Sequence, residues 1–152
     1  MIKLRTQNHY MRKVSDILKR KGNEVSTVSS NLTVIEALEL MATQNIGSLV
    51  VMDNDVFVGI MTERDYSRKV ILMGRHSSNT PVAEIMTTDF PPVQMSDTVE
   101  KCMQLMSTKH IRYLPVFDNG KLSGIISIND VVTETILTQQ ETISHLQSYI
   151  QS

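Results

Sequence analysis

Gly59-Ile-Met-Thr-Glu-Arg-Asp65 returns 65 positions later as Gly124-Ile-Ile-Ser-Ile-Asn-Asp130. With the same offset, residues 24–65 align on residues 89–130 without a gap, and many of the paired residues are identical. Self-similarity over such a length predicts two copies of one supersecondary unit, each too small to bury its apolar face alone. The chain is therefore predicted to be a tandem repeat.

The order of elements within each copy follows from the spacing of its apolar residues. Thr33-Val-Ile-Glu36 has the form of a capping box and begins a stretch with helical spacing. Asp53-Asn-Asp55 and Asp118-Asn-Gly120 are turn sequences, each between two β-rich runs. Each copy is predicted to be β-α-β-β-α, and the fold class is α/β (α+β).

The spacing of Tyr10, Met11, Val14, Ile17 and Leu18 predicts a leading helix, and Pro81-Val-Ala-Glu-Ile-Met86 resembles its counterpart before the second copy. The predicted domains, in chain order, are a first repeat with its lead-in helix at 11–73, a polar linker at 74–81, a second repeat at 82–140 and a C-terminal helix extension at 141–152.

The composition is that of an ordinary soluble globule, with 152 residues, 41% apolar and 20% charged. No targeting or membrane-spanning segment is predicted, because the apolar runs are far shorter than a bilayer requires. Cys102 is the one cysteine in the sequence, so an intramolecular disulfide is excluded and a reducing, cytoplasmic location fits best.

The net charge of −1 hides a basic N-terminal region and an acidic remainder. Residues 1–23 carry seven basic side chains and one acidic side chain, and the rest of the chain has an excess of acids. Binding of nucleic acid is not expected, because phosphate neutralisation needs cations clustered across a surface.

The repeated motif has two chemical interpretations. A Ser or Thr followed three residues later by an acid is most often only a helix cap. Repeated in register after a strand with a glycine, the same residues also suit a ribose phosphate, because the helix N-terminus and hydroxyl bind an anion and the carboxylate accepts from a sugar diol. The residues alone leave both interpretations open.

Both motifs, both strand-turn-strand runs and the gapless repeat resemble the cystathionine-beta-synthase (CBS) domain family, as a tandem pair or Bateman module over roughly residues 11–140. The resemblance implies a pseudo-two-fold module whose two clefts bind adenosine nucleotides and regulate an attached or partner protein. AMP is the leading ligand that it implies, and ATP, ADP, NAD(H) and S-adenosylmethionine are the others. It leaves the regulated protein unspecified.

By the same resemblance, Thr62 and Ser127 contact ribose or phosphate, and Asp65 and Asp130 hold the ribose hydroxyls. The residues predicted to flank adenine are Ser26, Thr27, Ile46, Phe90, Pro91 and Ile111. The remaining positions predicted to bind the ligand are Gly47, Ser48, Arg64, Arg112, Tyr113 and Asn129.

The two clefts are not expected to be equivalent. Arg64 corresponds to Asn129, and Arg112 corresponds to Gly47. If the packing of the family holds, both arginines serve the Asp65 cleft, which would then bind a phosphorylated adenosine more tightly. The competing interpretation of Arg64, Arg68 and Lys69 is a solvated helix face.

Catalysis has little support in the sequence. His9, His76, His110 and His145 lack the spacing of a metal site and have no nucleophile motif beside them. Cys102 falls on an apolar helix stripe and is expected to be buried and inert. We therefore expect no enzyme and no metal site, and a scaffold with empty clefts is the alternative to a ligand sensor.

The last helix is expected to continue beyond the second repeat. Six positions, five of them apolar, alternate steps of four and three residues along it, which is typical of a narrow helix seam. This seam consists of Val132, Ile136, Gln139, Ile143, Leu146 and Ile150. Packing on its own module is one interpretation, and a homodimer interface is the favoured one.

Overall fold

The computed structural model describes residues 11–151, and its first element is helix α1 (Val14–Lys21). The predicted leading helix is therefore confirmed, and it begins after Lys13. His9, Tyr10 and Ser152, which entered the sequence predictions, lie outside the described residues.

The first copy contains strand β1 (Thr27–Val28), helix α2 (Val34–Gln44), strands β2 (Ser48–Asp53) and β3 (Val56–Thr62), and the short helix α3 (Glu63–Tyr66). A π-helical turn continues α3. The three strands form one sheet in the order β1-β2-β3, parallel in the first pair and antiparallel in the second.

The second copy repeats this plan with strand β4 (Val93–Gln94), helix α4 (Val99–Lys109), strands β5 (Tyr113–Asp118) and β6 (Lys121–Ser127), and helix α5 (Ile128–Gln151). Its sheet has the order β4-β5-β6 with the same strand directions. Both the predicted fold class and the predicted β-α-β-β-α order are confirmed.

Both hairpins turn at the predicted sequences. Asn54 and Asp55 have φ angles of 52° and 62°, and Asn119 and Gly120 have φ angles of 52° and 80°. Two successive residues with positive φ make the type of two-residue turn whose twist matches that of the flanking strands. Asn, Asp and Gly are the residues that tolerate this conformation, which is why the turns were predictable.

The compact units in space differ from the repeats along the chain. One unit is Glu24–Phe90, and the other joins residues 11–23 with residues 91–151. Helix α1 thus belongs to the core of the second copy, where Val14 and Ile17 pack in one cluster with Leu114. The sequence had placed α1 with the first repeat, because its apolar stripe does not say which sheet it covers.

The segment before the second copy packs in the core of the first copy. We call this segment and α1 the exchanged segments, because each packs in the core of the copy that it does not immediately precede. Val82 and Ile85 are buried in the core of the first copy, with Val34 and Met61. This segment forms only a 3-10 turn, Val82–Glu84, and not the helical counterpart that Pro81–Met86 had suggested. Pro81 is extended at the start of the turn.

The motif glycine Gly59 lies where this exchanged segment crosses strand β3. Ile60 and Thr87 exchange two backbone hydrogen bonds of 3.0 and 2.9 Å. A Cβ atom on Gly59 would lie 2.8 Å from the carbonyl oxygen of Thr87. At Gly124 the nearest atom to such a Cβ is instead the end of a flexible side chain, Leu18 Cδ2, at 3.0 Å.

A buried carboxylate joins α1 to α5. Glu134 is 1% exposed and accepts a 2.6 Å hydrogen bond from Arg20 Nε. Arg12 Nη1 lies 3.6 Å from the other carboxylate oxygen, and Arg12 also pairs with Glu141. Removing one partner of such a pair costs more than an exposed ion pair contributes, because a charge is left buried.

The C-terminal seam is exposed to solvent in this chain. Ile136, Ile143 and Ile150 are 47%, 53% and 79% exposed, and every residue from Glu141 to Gln151 is exposed. Packing of the seam on its own module is therefore not observed among residues 11–151.

Replacing Gly59 by alanine should destabilise the chain far more than the same change at Gly124. A methyl group at Gly59 meets backbone, so we expect Gly59→Ala to lower the free energy of unfolding by about 1–3 kcal/mol. Gly124→Ala is the matched control, because the Leu18 side chain can rotate away. Thermal denaturation of both variants checks this, and an equal change in melting temperature would contradict it.

Candidate functional site

Asp65 lies in the first turn of α3 and is 7% exposed. Its Oδ2 atom accepts from the Thr62 backbone N–H at 2.9 Å and from the Thr62 hydroxyl at 3.0 Å. Its Oδ1 atom accepts from the Thr87 hydroxyl and from Lys69 Nζ, both at 3.0 Å. The Asp65 N–H donates back to Thr62 Oγ1 at 3.1 Å, which completes a capping box.

Asp130 occupies the same place at the start of α5, and its side chain is 16% exposed. Its Oδ2 atom accepts from the Ser127 backbone N–H at 2.8 Å and from Lys21 Nζ at 2.7 Å. The Asp130 N–H donates to Ser127 Oγ at 3.2 Å. Lys21 comes from the last turn of α1 and also donates to the Ile125 carbonyl at 3.0 Å.

The capping interpretation of the motif is therefore observed at both copies. Each hydroxyl oxygen accepts from the N–H of its aspartate, and each aspartate accepts from the N–H of its hydroxyl residue. This arrangement fixes both side chains at a helix N-terminus, where the helix dipole favours negative charge. The same hydrogen bonds hold a hydroxyl and a carboxylate side by side, which is what recognition of a sugar requires.

Several of the other predicted ligand-binding residues lie in the same compact unit as Asp65. Ser48 begins β2 and pairs with Thr62, and the carbonyl of Gly47 accepts from Glu63 N–H at 3.3 Å. Ser26 lies just before Thr27 in β1, and its hydroxyl bonds to Gln44. The remaining predicted members of this unit are Ile46, Arg64 and Phe90.

Other predicted ligand-binding residues lie in the same compact unit as Asp130, among them Arg112, which was predicted to serve the Asp65 cleft. Tyr113 begins β5 and pairs with Ser127, and the carbonyl of Arg112 accepts from Ile128 N–H at 2.9 Å. Asn129 is exposed in the first turn of α5. The remaining predicted members of this unit are Pro91 and Ile111.

Three residues at the two carboxylates were missed in the sequence. Lys69 was considered as part of a solvated helix face, but its ammonium contacts Asp65 and the Ile85 carbonyl. Its position four residues after Asp65 was a signal that an ion pair could form. Thr87 and Lys21 carried no such signal, since they reach the carboxylates only through the exchanged segments.

Cys102 is buried, and burial raises the pKa of its thiol to about 11, with Asp97 adding to the effect. Within residues 11–151, no three His, Cys, Asp or Glu side chains come close enough together to hold a metal ion.

Within residues 11–151, no helix combines the length and the apolar character needed to span a bilayer.

Comparison with known proteins agrees with the fold and the motifs. The pattern of the CBS domain family matches residues 14–71 and again residues 82–136. The chain is 35% identical over 147 residues to the mitochondrial CBS domain-containing protein CBSX3 of Arabidopsis thaliana, which covers 91% of this chain and 71% of that protein. The chain therefore belongs to the CBS domain family, and it carries a tandem pair of these domains.

Solved structures show the same architecture. A protein with CBS domains from Burkholderia ambifaria MC40-6 superimposes with a TM-score of 0.79 at 47% identity, covering 82% of this chain and 94% of that one. The CBS domain pair of protein MJ0100 superimposes with a TM-score of 0.72 at 26% identity, covering 82% and 96%. That protein was solved in complex with 5-methylthioadenosine and S-adenosyl-L-methionine.

Cys102 should be unreactive in the folded chain. A thiol with a pKa of about 11 carries almost no thiolate near neutral pH, so we expect a disulfide-exchange reagent to label it only after unfolding. Labelling rates with and without denaturant at pH 7 and 9 check this, with Cys102→Ser as the blank. Equal rates in the native and denatured chain would contradict it.

Proposed function

We propose that this chain is a regulatory module that senses an adenosine nucleotide and modulates a partner protein, with AMP as the leading ligand. ATP, ADP, NAD(H) and S-adenosylmethionine are the other candidates. We further propose that it is not an enzyme and that it works in the cytoplasm.

One observation carries the proposal. The pair of a hydroxyl and a carboxylate at a helix start occurs twice with the same reciprocal hydrogen bonds, in a family of which one solved member holds two adenosine compounds. A ribose offers two adjacent hydroxyls, and a carboxylate has acceptor positions for both. The N–H groups of the same helix end suit a phosphate.

The proposed roles follow from these positions. Asp65 and Asp130 hold the ribose hydroxyls, and Thr62 and Ser127 contact ribose or phosphate. Arg64, which is exposed on α3, supplies charge for a phosphate. The remaining proposed ligand-binding residues are Ser26, Thr27, Ile46, Gly47, Ser48, Phe90, Pro91, Ile111, Arg112, Tyr113 and Asn129.

A ligand-free scaffold is the second candidate, and the hydrogen bonds of the Asp65 carboxylate favour it. Thr62, Lys69 and Thr87 already satisfy Asp65, so its burial needs no ligand. A module of this kind would contribute only its surfaces, above all the exposed α5.

Calorimetric titration with AMP, ADP, ATP, NADH and S-adenosylmethionine separates the two functions. We expect AMP to bind with a dissociation constant below about 1 mM, and the double variant Asp65→Asn, Asp130→Asn to abolish binding. The matched control is Asp55→Asn with Asp118→Asn, since these acids lie at the hairpin ends of the sheets. If none of the five compounds binds, the scaffold is the correct function.

We also propose a homodimer formed through the seam on α5. Its apolar side chains are exposed over more than four helical turns, and contiguous exposed apolar surface of this kind marks interaction sites. A second molecule of the protein presents the same seam, so the contact can be self-complementary about a two-fold axis.

The homodimer is tested by placing charge on the seam. We expect Ile143→Lys with Leu146→Lys to convert the dimer to a monomer, because charges would be buried in its interface. Ser144→Lys with Ser148→Lys puts the same charge on the opposite face of α5 and should leave the dimer intact. Mass by light scattering reports both, and a monomeric wild-type chain would overturn the homodimer itself.

A further inference from the structure

The two motif carboxylates differ in how many donors they already satisfy. A carboxylate has about four acceptor positions, two on each oxygen. At Asp65 all of them are used, since Oδ2 accepts twice from Thr62 and Oδ1 accepts from Thr87 and Lys69. Asp65 is therefore saturated by donors from its own compact unit.

Asp130 keeps one oxygen available. Its Oδ2 atom accepts from Ser127 N–H and from Lys21 Nζ. No donor in residues 11–151 reaches its Oδ1 atom. The side chain is also the more exposed of the two, at 16% against 10% for Asp65.

One substitution between the copies explains part of the difference. The residue four positions after the aspartate is Lys69 in the first copy and Glu134 in the second. A lysine at this spacing can pair with the aspartate, whereas Glu134 turns to Arg20. The cation at Asp130 comes from Lys21 instead, on a side chain that is 30% exposed.

Resting on the proposed adenosine function, we propose that Lys21 sets the affinity of the Asp130 carboxylate for a sugar diol by competing for Oδ2, and that Asp130 binds the sugar more tightly than Asp65 does. The Asp65 carboxylate, which fastens Thr87 and Lys69 to the start of α3, is then the weaker of the two sites.

The cost of displacement decides between the two sites. At Asp130 one hydroxyl binds Oδ1 with nothing to displace, and the other replaces Lys21, whose ammonium is close enough to solvent to be rehydrated. At Asp65 both hydroxyls must displace a donor, and within residues 11–151 the Thr87 hydroxyl donates to no acceptor other than Asp65. The expectation from Arg64 and Arg112 favoured the Asp65 cleft, whereas the hydrogen bonds favour Asp130.

Titration of the full-length chain with AMP tests the role of Lys21. We expect Lys21→Met to tighten AMP binding about three- to tenfold, because the competitor for Oδ2 is removed but a partly exposed ion pair is worth little. Lys19→Met is the matched control, since Lys19 is an exposed lysine in the same last turn of α1, and it should change affinity less than about twofold. Unchanged or weaker binding by Lys21→Met would overturn the competition.

Single variants of the aspartates test which carboxylate binds. We expect Asp130→Asn to weaken the tighter AMP site about tenfold or more. Asp65→Asn should instead lower the melting temperature and leave the tighter site within about twofold. The opposite assignment overturns this inference alone, whereas a wild-type chain and Lys21→Met variant that both fail to bind AMP, ADP, ATP, NADH and S-adenosylmethionine overturn the proposed function as well.

Discussion

In the unit that contains the first copy, the backbone of Thr87 exchanges two hydrogen bonds with Ile60 and passes against Gly59. The rest of this unit depends on that crossing. Through it, a segment from beyond the first repeat forms hydrogen bonds with the edge strand β3. The same segment contains Val82 and Ile85, which are completely buried. The same crossing places the Thr87 hydroxyl on Asp65, so one contact serves both the core and the candidate site.

The second copy reaches the same architecture with a different segment and different chemistry. Helix α1 lies against Gly124 through the side chain of Leu18, and its last turn supplies Lys21 to Asp130. The Leu18 side chain contacts Gly124 where the Thr87 backbone contacts Gly59. The Lys21 ammonium contacts Asp130 where the Thr87 hydroxyl contacts Asp65. The two motifs are alike in sequence, yet the exchanged segments give their carboxylates different surroundings.

Much of the fold was predictable because its signals are local. A capping box, a helical stripe and a turn with positive φ each depend on residues within a few positions of one another, so Thr33, Glu36 and the Asn-Gly turn could be read directly. The candidate site was predictable as far as Thr62, Asp65, Ser127 and Asp130. Their neighbours Thr87 and Lys21 were not, because no local pattern links them to the motifs.

The sequence by itself determined the tandem repeat, the β-α-β-β-α order and the hydroxyl-carboxylate pair at each second helix, because each is written in residues that are close along the chain. Only the tertiary structure decided that α1 completes the second copy and that residues 82–86 complete the first. An apolar stripe fixes that a segment is buried but not which sheet buries it. Part of the difference between Asp65 and Asp130 has the same origin, since Thr87 and Lys21 arrive through those exchanged segments.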